Sequence, residues 1–203
     1  MVNINQTEYN LDEILNDCWL RLEKGVKSAK HPFHSPTLGT IHQGEVEMRT
    51  VILRQVIAAE KTLIFHSDVR SPKISQIKNN NHISWLFYDE DARIQIRLKA
   101  KATIHHLNDL ALSRWEDSRL ESRRCYLSQP APSSFIDFPS DGLPENLDVK
   151  NLTVENVADG FNNFVVVETE VTQIEWLFLN HYGHRRATFS YDGNIIKKQW
   201  MLP

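Results

Sequence analysis

The stretch from residue 49 to residue 73 limits the possible folds more than any other part of the sequence. Two short apolar runs that contain β-branched and aromatic residues, Val51–Leu53 and Leu63–Phe65, flank the turn Ala58–Lys61. This pattern predicts a β-hairpin. A helix is predicted directly after it, because Ser71 is a good N-cap residue and the proline that follows is favoured at the first helical position.

The predicted helix start is also rich in groups that bind anions. Free N–H groups at a helix N-terminus attract negative charge, and Arg70, Ser71 and Lys73 lie at this end of the helix. Arg49 and Arg54, in the preceding strand, add two guanidinium groups suited to bidentate binding of phosphate. The sequence therefore predicts a phosphate-bearing ligand. The alternative, that these are ordinary solvated charges on a hairpin and a helix start, stays open at this point.

Composition favours a small-molecule partner over a nucleic acid or a membrane. The chain has 203 residues, 41% hydrophobic and 24% charged, which predicts one domain over residues 1–203. Its formal net charge of -3 lacks the basic excess typical of nucleic-acid binding. Cys18 and Cys125 predict neither a disulfide framework nor a metal site. The chain has no signal-peptide pattern and no apolar run of bilayer length, so we expect a cytoplasmic protein.

The rest of the chain predicts an antiparallel sheet with helices at its margins. A helix over about residues 10–29 opens with a capping box that begins at Asn10. The alternating strand Arg93–Ile104 turns its isoleucines and leucine towards a core, and its cations with Gln95 to the other face. A long loop over about residues 128–147 is rich in Pro, Ser and Asp. The fold class indicated is α+β, a mainly antiparallel, barrel-like sheet with flanking helices. Further strands are predicted over residues 38–42, 83–88, 164–171, 174–179, 183–191 and 197–202, a turn over 192–194, and short helices over 108–115, 120–126 and 153–159.

Several blocks of sequence, taken together, are typical of one protein family. They cover nearly the whole chain and are Arg49–Arg54, Phe65–Lys73, Gln76–Asn80, Ser84–Phe87, Arg93–Ile96, Ile174–Trp176 and Trp200–Pro203. These blocks resemble the pyridoxamine 5'-phosphate oxidase family, and Ser122–Tyr126 and Gly183–Ala187 resemble its oxidase-related branch. The resemblance implies an FMN-binding split β-barrel with FMN as cofactor. It also implies a homodimer whose flavin lies in a groove between two protomers.

The resemblance further implies which residues hold the flavin. Arg49 and Lys73 would bind its phosphate, and a second protomer would supply Trp176 and one of two adjacent arginines, Arg186 or its rival Arg185. With the anion-binding groups of the helix start, the predicted cofactor residues are Arg49, Thr50, Val51, Ile52, Arg54, His66, Ser67, Arg70, Ser71, Lys73, Gln95 facing the ring, Trp176 and Arg186.

Three departures from the oxidase itself bear on the reaction. Pro72–Lys73 stands where the enzyme has an Arg-Lys pair, Arg54 replaces a lysine, and His184–Thr188 replaces an Arg-x-His-x-Arg substrate motif. We therefore expect an FMN-dependent oxidoreductase of the oxidase-like branch with an unidentified small-molecule substrate, which His184 and Arg123 would contact.

Three alternatives remain open from the sequence. The protein is an authentic pyridoxamine or pyridoxine 5'-phosphate oxidase, or it is a flavin-binding protein with little catalysis of its own, for storage, sensing or stress response. The third alternative is a structural or partner-binding barrel that binds no flavin.

Overall fold

The computed structural model describes residues 2–4, 7–193 and 195–203, and within them an antiparallel sheet dominates the fold. The strands are β1 (Val2–Ile4), β2 (Thr7–Tyr9), β3 (Thr37–His42), β4 (Glu45–Thr50), β5 (Gln55–Ile57), β6 (Thr62–Asp68), β7 (His82–Asp89), β8 (Ile94–His106), β9 (Phe164–Phe178), β10 (Arg185–Asp192) and β11 (Ile195–Met201). The helices are α1 (Leu11–Lys27), α2 (Pro72–Asn79), α3 (Asp109–Glu116), α4 (Leu120–Arg123) and α5 (Val154–Val157).

Strand β9 organises the sheet because it pairs with three other strands. One edge pairs along its length with β8, while the other edge pairs first with β6 and then with β10. From β10 the sheet ends at β11, and from β8 it continues through β7 and β3 to β4. The short strand β5 pairs only with β6 among the described strands. The predicted fold class, a mainly antiparallel α+β protein with flanking helices, is confirmed.

The local patterns in the sequence predicted α1 and β8 well. Asn10 caps α1 and forms the capping box with Glu13, as predicted. In β8 the core positions Ile94, Ile96 and Leu98 are buried, and the cations on the other face are exposed. The long segment between Leu127 and Val154 has no helix or strand, in agreement with the predicted loop over residues 128–147. The predicted turn at 192–194 includes Asn194, which lies outside the described residues.

Two strand predictions are corrected by the structure. Residues Val51–Leu53 form no strand. The N–H groups of Val51 and Leu53 donate to the carbonyls of Pro36 and His34, but Pro36 has no N–H to return and His34 ends a short 3-10 helix, so no ladder forms and β5 begins only at Gln55. The two strands predicted over 164–171 and 174–179 are one strand, β9. Its register against β8 shifts between Lys99 and Ala100, so a bulge interrupts the alternation that would have joined the two halves.

Within the described residues, no helix has both the length and the apolar character needed to cross a bilayer.

Candidate functional site

The N-terminus of helix α2 has the geometry of an anion site. Ser71 is the N-cap residue and Pro72 is the first helical residue, as predicted. The Ser71 hydroxyl does not cap the helix, because it accepts a hydrogen bond from Lys73 Nζ at 2.6 Å instead. The helix start is therefore left without a side-chain acceptor, next to an ammonium group.

Two cations lie close together at this helix start. Lys73 Nζ also donates to the Ser67 hydroxyl at 3.3 Å, so its two side-chain partners are neutral hydroxyls. The pKa of Lys73 is lowered, first by burial and then by the nearby positive charge of Arg49. A pair of like charges in a partly buried place is stabilised by an anion between them. The structure thus brings together Arg49, Ser67, Ser71 and Lys73 of the predicted set.

Arg49 is held by a buried polar network that sequence reasoning missed. Its guanidinium donates to Thr40 Oγ1 and, at 3.1 Å, to Gln76 Oε1. Thr40 Oγ1 donates in turn to Gln76 Oε1 at 2.6 Å. Thr40 is 1% exposed and Gln76 2% exposed, whereas Glu47, which accepts from Arg49 at 3.3 Å, is exposed. No sequence signal links Thr40 to Gln76, because they are far apart in the chain and lie on a strand and a helix that only the fold brings together.

The side chain of Arg70 is bound to a carboxylate and to the long loop. Its guanidinium binds both carboxylate oxygens of Asp68, at 3.0 and 2.7 Å, and donates to the carbonyls of Ser128 and Gln129. The hydrogen bond with Asp68 is the main reason that the pKa of Arg70 is raised. The structure therefore gives Arg70 a role in anchoring the start of the long loop.

The segment that joins β4 to β5 has two different sides. Val51 and Leu53 are buried in the core, while Thr50 and Arg54 are exposed and Ile52 is half-buried. Alternation therefore turns these three side chains away from the core. At the end of this segment, Arg54 lines a cavity.

A cavity of about 710 Å³ lies between the end of α1, strands β5 and β6, and the segment from α3 to α4. Its lining includes the arginines Arg54, Arg114 and Arg119, with Asp117 as the single carboxylate. Three buried polar atoms of its lining have no hydrogen-bond partner among the described residues: Gln55 Oε1, His66 Nε2 and Arg114 Nε. Unsatisfied buried atoms around a roomy, cationic cavity are the chemistry of a site for a polar anion.

His66 is uncharged in this cavity. Burial lowers its pKa to about 3, and the charges of Arg54 and Arg114 act in the same direction. The imidazole packs edge-on against Phe164, with ring centroids 4.8 Å apart. A neutral imidazole can offer one donor and one acceptor to a ligand.

Gln95 and Arg186 share one face of the sheet, and Arg49 lies on the other. Gln95 pairs with Leu177, which pairs with Arg186, so the three side chains point the same way. Arg49 aligns instead with Leu38 and so with the core face. One protomer therefore does not bring Gln95 and Arg49 together.

The side chain of Trp176 is not available to a ligand, which corrects its predicted role. It is 1% exposed and stacks on Phe178 in the core. Leu177, the next residue, points to the opposite face by strand alternation. The apolar alternation Ile174, Trp176, Phe178 was a sequence signal for this core face.

The two adjacent arginines of β10 have different surroundings. Arg186 donates to Glu175 Oε1 at 2.6 and 3.0 Å, and Arg97 binds the same carboxylate. The guanidinium of Arg185 donates to the carbonyls of Gly183 and His184 in its own turn. Arg186 is thus the arginine that belongs to the sheet face with Gln95.

The predicted substrate residues lie apart from the cavity. Arg123 is buried, donates to the carbonyls of Ser118 and Glu116, and lies 5.4 Å from the centre of the Trp115 ring. Its contacts are those of a residue that stabilises the α3–α4 segment. His184 is exposed and its Nδ1 accepts from the N–H of Asn180 at 3.1 Å.

A known protein family matches the segment that contains Arg49 and the start of α2. Residues 16–106 match the sequence model of the family described as pyridoxamine 5'-phosphate oxidase, FMN-binding domain. This match confirms the resemblance noted in the sequence, and FMN as the cofactor. The donors at the start of α2 fit the phosphate of that cofactor. A search of curated proteins by sequence gave no match.

Solved structures confirm the split-barrel fold. A pyridoxamine 5'-phosphate oxidase-related FMN-binding protein from Nostoc punctiforme superposes with a TM-score of 0.72 and 18% identity, over 93% of this chain and 96% of that chain. PhzG from Burkholderia lata, in complex with tetrahydrophenazine-1-carboxylic acid, gives 0.73 and 16% identity over 100% of both chains. A Clostridium acetobutylicum protein related to general stress protein 26 gives 0.53 and 11% identity, over 88% of this chain and 95% of that chain.

Proposed function

We propose that this protein is an FMN-dependent oxidoreductase that acts on a small organic anion. The observation that carries the proposal is the pair of cations, Arg49 and Lys73, at the uncapped start of α2, within the segment that matches the FMN-binding domain. In this proposal the phosphate of FMN accepts hydrogen bonds from these two side chains and from the hydroxyls of Ser67 and Ser71. Bound FMN supplies the redox chemistry, because its ring takes up and releases electrons.

The side chains of the segment after Arg49 and of the cavity would orient the flavin ring and its substrate. Thr50, Ile52 and Arg54 follow Arg49 in the chain on the side turned away from the core, and Arg54 lines the cavity. His66 stays neutral there and would offer a hydrogen bond without adding charge. The guanidinium groups of Arg54, Arg114 and Arg119 would compensate a negative charge on the substrate.

The cavity supports a carboxylate or phosphate as the substrate's charged group. Its lining has four cations, Lys27, Arg54, Arg114 and Arg119, and one carboxylate, Asp117, so it has a positive excess. Gln55 and His66 add unpaired polar atoms, which favour a substrate that carries further donors or acceptors.

A homodimer is part of the proposal. Val46 is 69% and Met48 70% exposed on edge strand β4, and with Leu86 of β7 they line an open groove of about 360 Å³. Exposed apolar patches on a sheet favour contact with another protein surface. Because Gln95 lies on the face opposite to Arg49, a flavin bound at Arg49 would meet Gln95 and Arg186 only from a second copy of the chain.

A reducing, cytoplasmic compartment also belongs to the proposal. Cys18 and Cys125 are both unpaired, which is usual where thiols stay reduced.

Titration with FMN and with riboflavin tests the phosphate site. The wild-type chain is expected to bind FMN at least about a hundredfold more tightly than riboflavin, because two charge-assisted contacts are lost without the phosphate. Arg49→Ala and Lys73→Ala should each remove most of this preference. Equal binding of both flavins by the wild-type chain would contradict the proposal.

Turnover distinguishes the remaining alternatives once FMN binding is established. Release of peroxide with pyridoxamine or pyridoxine 5'-phosphate would identify the authentic oxidase. Reduction or reoxidation of the flavin by other phosphorylated or carboxylated aromatic compounds would support the oxidoreductase proposed here. Tight FMN binding with no turnover of any compound in such a panel would favour the flavin-binding protein without catalysis.

A further inference from the structure

Arg49 meets two kinds of acceptor, one buried and one exposed. Thr40 and Gln76 present oxygens from the protein interior, while the Glu47 carboxylate reaches the same guanidinium from the solvent side. Burial lowers the pKa of Arg49, and Glu47 acts in the opposite direction. An exposed carboxylate can be displaced by an incoming anion at little cost, whereas buried partners cannot leave without being left unsatisfied.

The buried partners also fix each other. Gln76 Oε1 accepts from both Arg49 and Thr40, so the amide oxygen uses its two lone pairs on these two donors. Thr40 Oγ1 accepts from Arg49 and donates to Gln76, so its one proton is also committed. Each of the three groups thus restricts the orientation of the other two.

Helix α2 carries Lys73 of the proposed anion site and also the residue that holds Arg49. Its first turn carries Lys73, and its second turn carries Gln76. Gln76 therefore sets the position of Arg49 relative to the same helix start that would bind the anion. The hydrogen bond from Thr40 to Gln76 joins β3 to this helix. Strand β3 also pairs with β4, which carries Arg49.

We propose that Thr40 and Gln76 are positioning residues that hold the Arg49 guanidinium for the phosphate of the flavin cofactor. This inference rests on the proposed phosphate site. It adds the requirement that buried groups hold Arg49 from the side of the protein interior. Arginine loses several rotamers when it is ordered, so buried acceptors that order it in advance raise affinity for the anion. Neither residue touches the phosphate in this proposal.

The test is a comparison of FMN and riboflavin binding by the full chain carrying Thr40→Val. This substitution keeps the shape of the side chain and removes its hydroxyl. FMN affinity is expected to fall roughly tenfold while riboflavin affinity is unchanged, because the effect acts only through the phosphate. Thr40→Ser, which keeps the hydroxyl, should restore FMN affinity to the wild-type value.

A second set of variants separates this role from general damage. Gln76→Met removes the acceptor at similar side-chain length and should have the same selective effect. In an Arg49→Ala background, Thr40→Val should cause no further loss of FMN affinity, because the group that it positions is absent.

The outcomes distinguish the two proposals. If the wild-type chain does not prefer FMN to riboflavin, the phosphate site is wrong and the positioning role falls with it. If the wild-type chain prefers FMN and Thr40→Val keeps that preference, the phosphate site stands and the positioning role is wrong. A parallel loss of both flavins, or a further loss in the Arg49→Ala background, would also overturn the positioning role.

Discussion

Acidification is expected to destabilise this protein through His66. In the unfolded chain this imidazole takes up a proton below about pH 6.5, whereas burial lowers its pKa to about 3 in the folded chain. Between these two values the unfolded state binds more protons, so the free energy of unfolding falls as the pH falls. From pH 8 to pH 5 this one group should cost about 2 kcal/mol, since each unit of pKa difference is worth about 1.4 kcal/mol.

Chemical denaturation of the flavin-free chain at pH 8 and pH 5 measures the effect. Wild type should lose about 2 kcal/mol more stability over this interval than His66→Gln, which cannot take up the proton. The difference between the two proteins removes the contribution of the other histidines. His42→Gln is the matched control, because His42 is exposed on the turn side of β3. If the free energy of unfolding changes by the same amount from pH 8 to pH 5 in wild type and in His66→Gln, the inference that His66 is buried and neutral is refuted.

Three further predictions concern the fold and the long loop. Gly25→Ala should destabilise the chain by about 1–3 kcal/mol in urea unfolding, because its Cβ would lie 2.8 Å from backbone atoms of Phe33; unchanged stability would mean that α1 shifts freely. Asn10→Ala should cost about 1 kcal/mol by the same measurement, since it removes the N-cap of α1. Arg70→Ala should speed proteolytic cleavage in the loop 128–147 while FMN binding is retained, because Arg70 anchors the start of that loop; an unchanged cleavage rate would show that other contacts hold it.

Local sequence patterns were sufficient where a structure depends on neighbouring residues. The capping box at Asn10 and the alternation of β8 were both predictable, because a helix cap and a strand face are decided within a few positions. The start of α2 at Pro72 followed from the same kind of signal, and the proposed anion site at Lys73 depends on it.

The rest depended on contacts between distant parts of the chain. Val51 and Ile52 have strong strand propensity, yet this run lies against Pro36 and a short 3-10 helix, which cannot complete a ladder with it. The bulge in β9 exists only relative to β8. The network of Thr40, Gln76 and Arg49 needs a strand, a helix and an edge strand in register, which no local pattern specifies.

The role predicted for Trp176 followed the family resemblance and not the alternation of its strand. The motif around it resembles a family block, but the alternation with Ile174 and Phe178 assigns it to the core face, where it is buried. The phase of a strand is a stronger constraint than the presence of an aromatic residue, because a shift by one position would turn every side chain to the other face.

The pairing of β9 sets a limit on which part of the chain can fold alone. Residues 16–106 contain β6 and β8, but both strands have an edge that is completed only by β9, beginning at Phe164. A fragment ending at residue 106 would leave these edges bare and the apolar side chains of β6 without cover. We therefore expect that the segment that matches the FMN-binding domain does not fold by itself. Its strands β6 and β8 pair with residues that are far away in the sequence. The cofactor site is therefore expected to form late, after most of the chain has been synthesised.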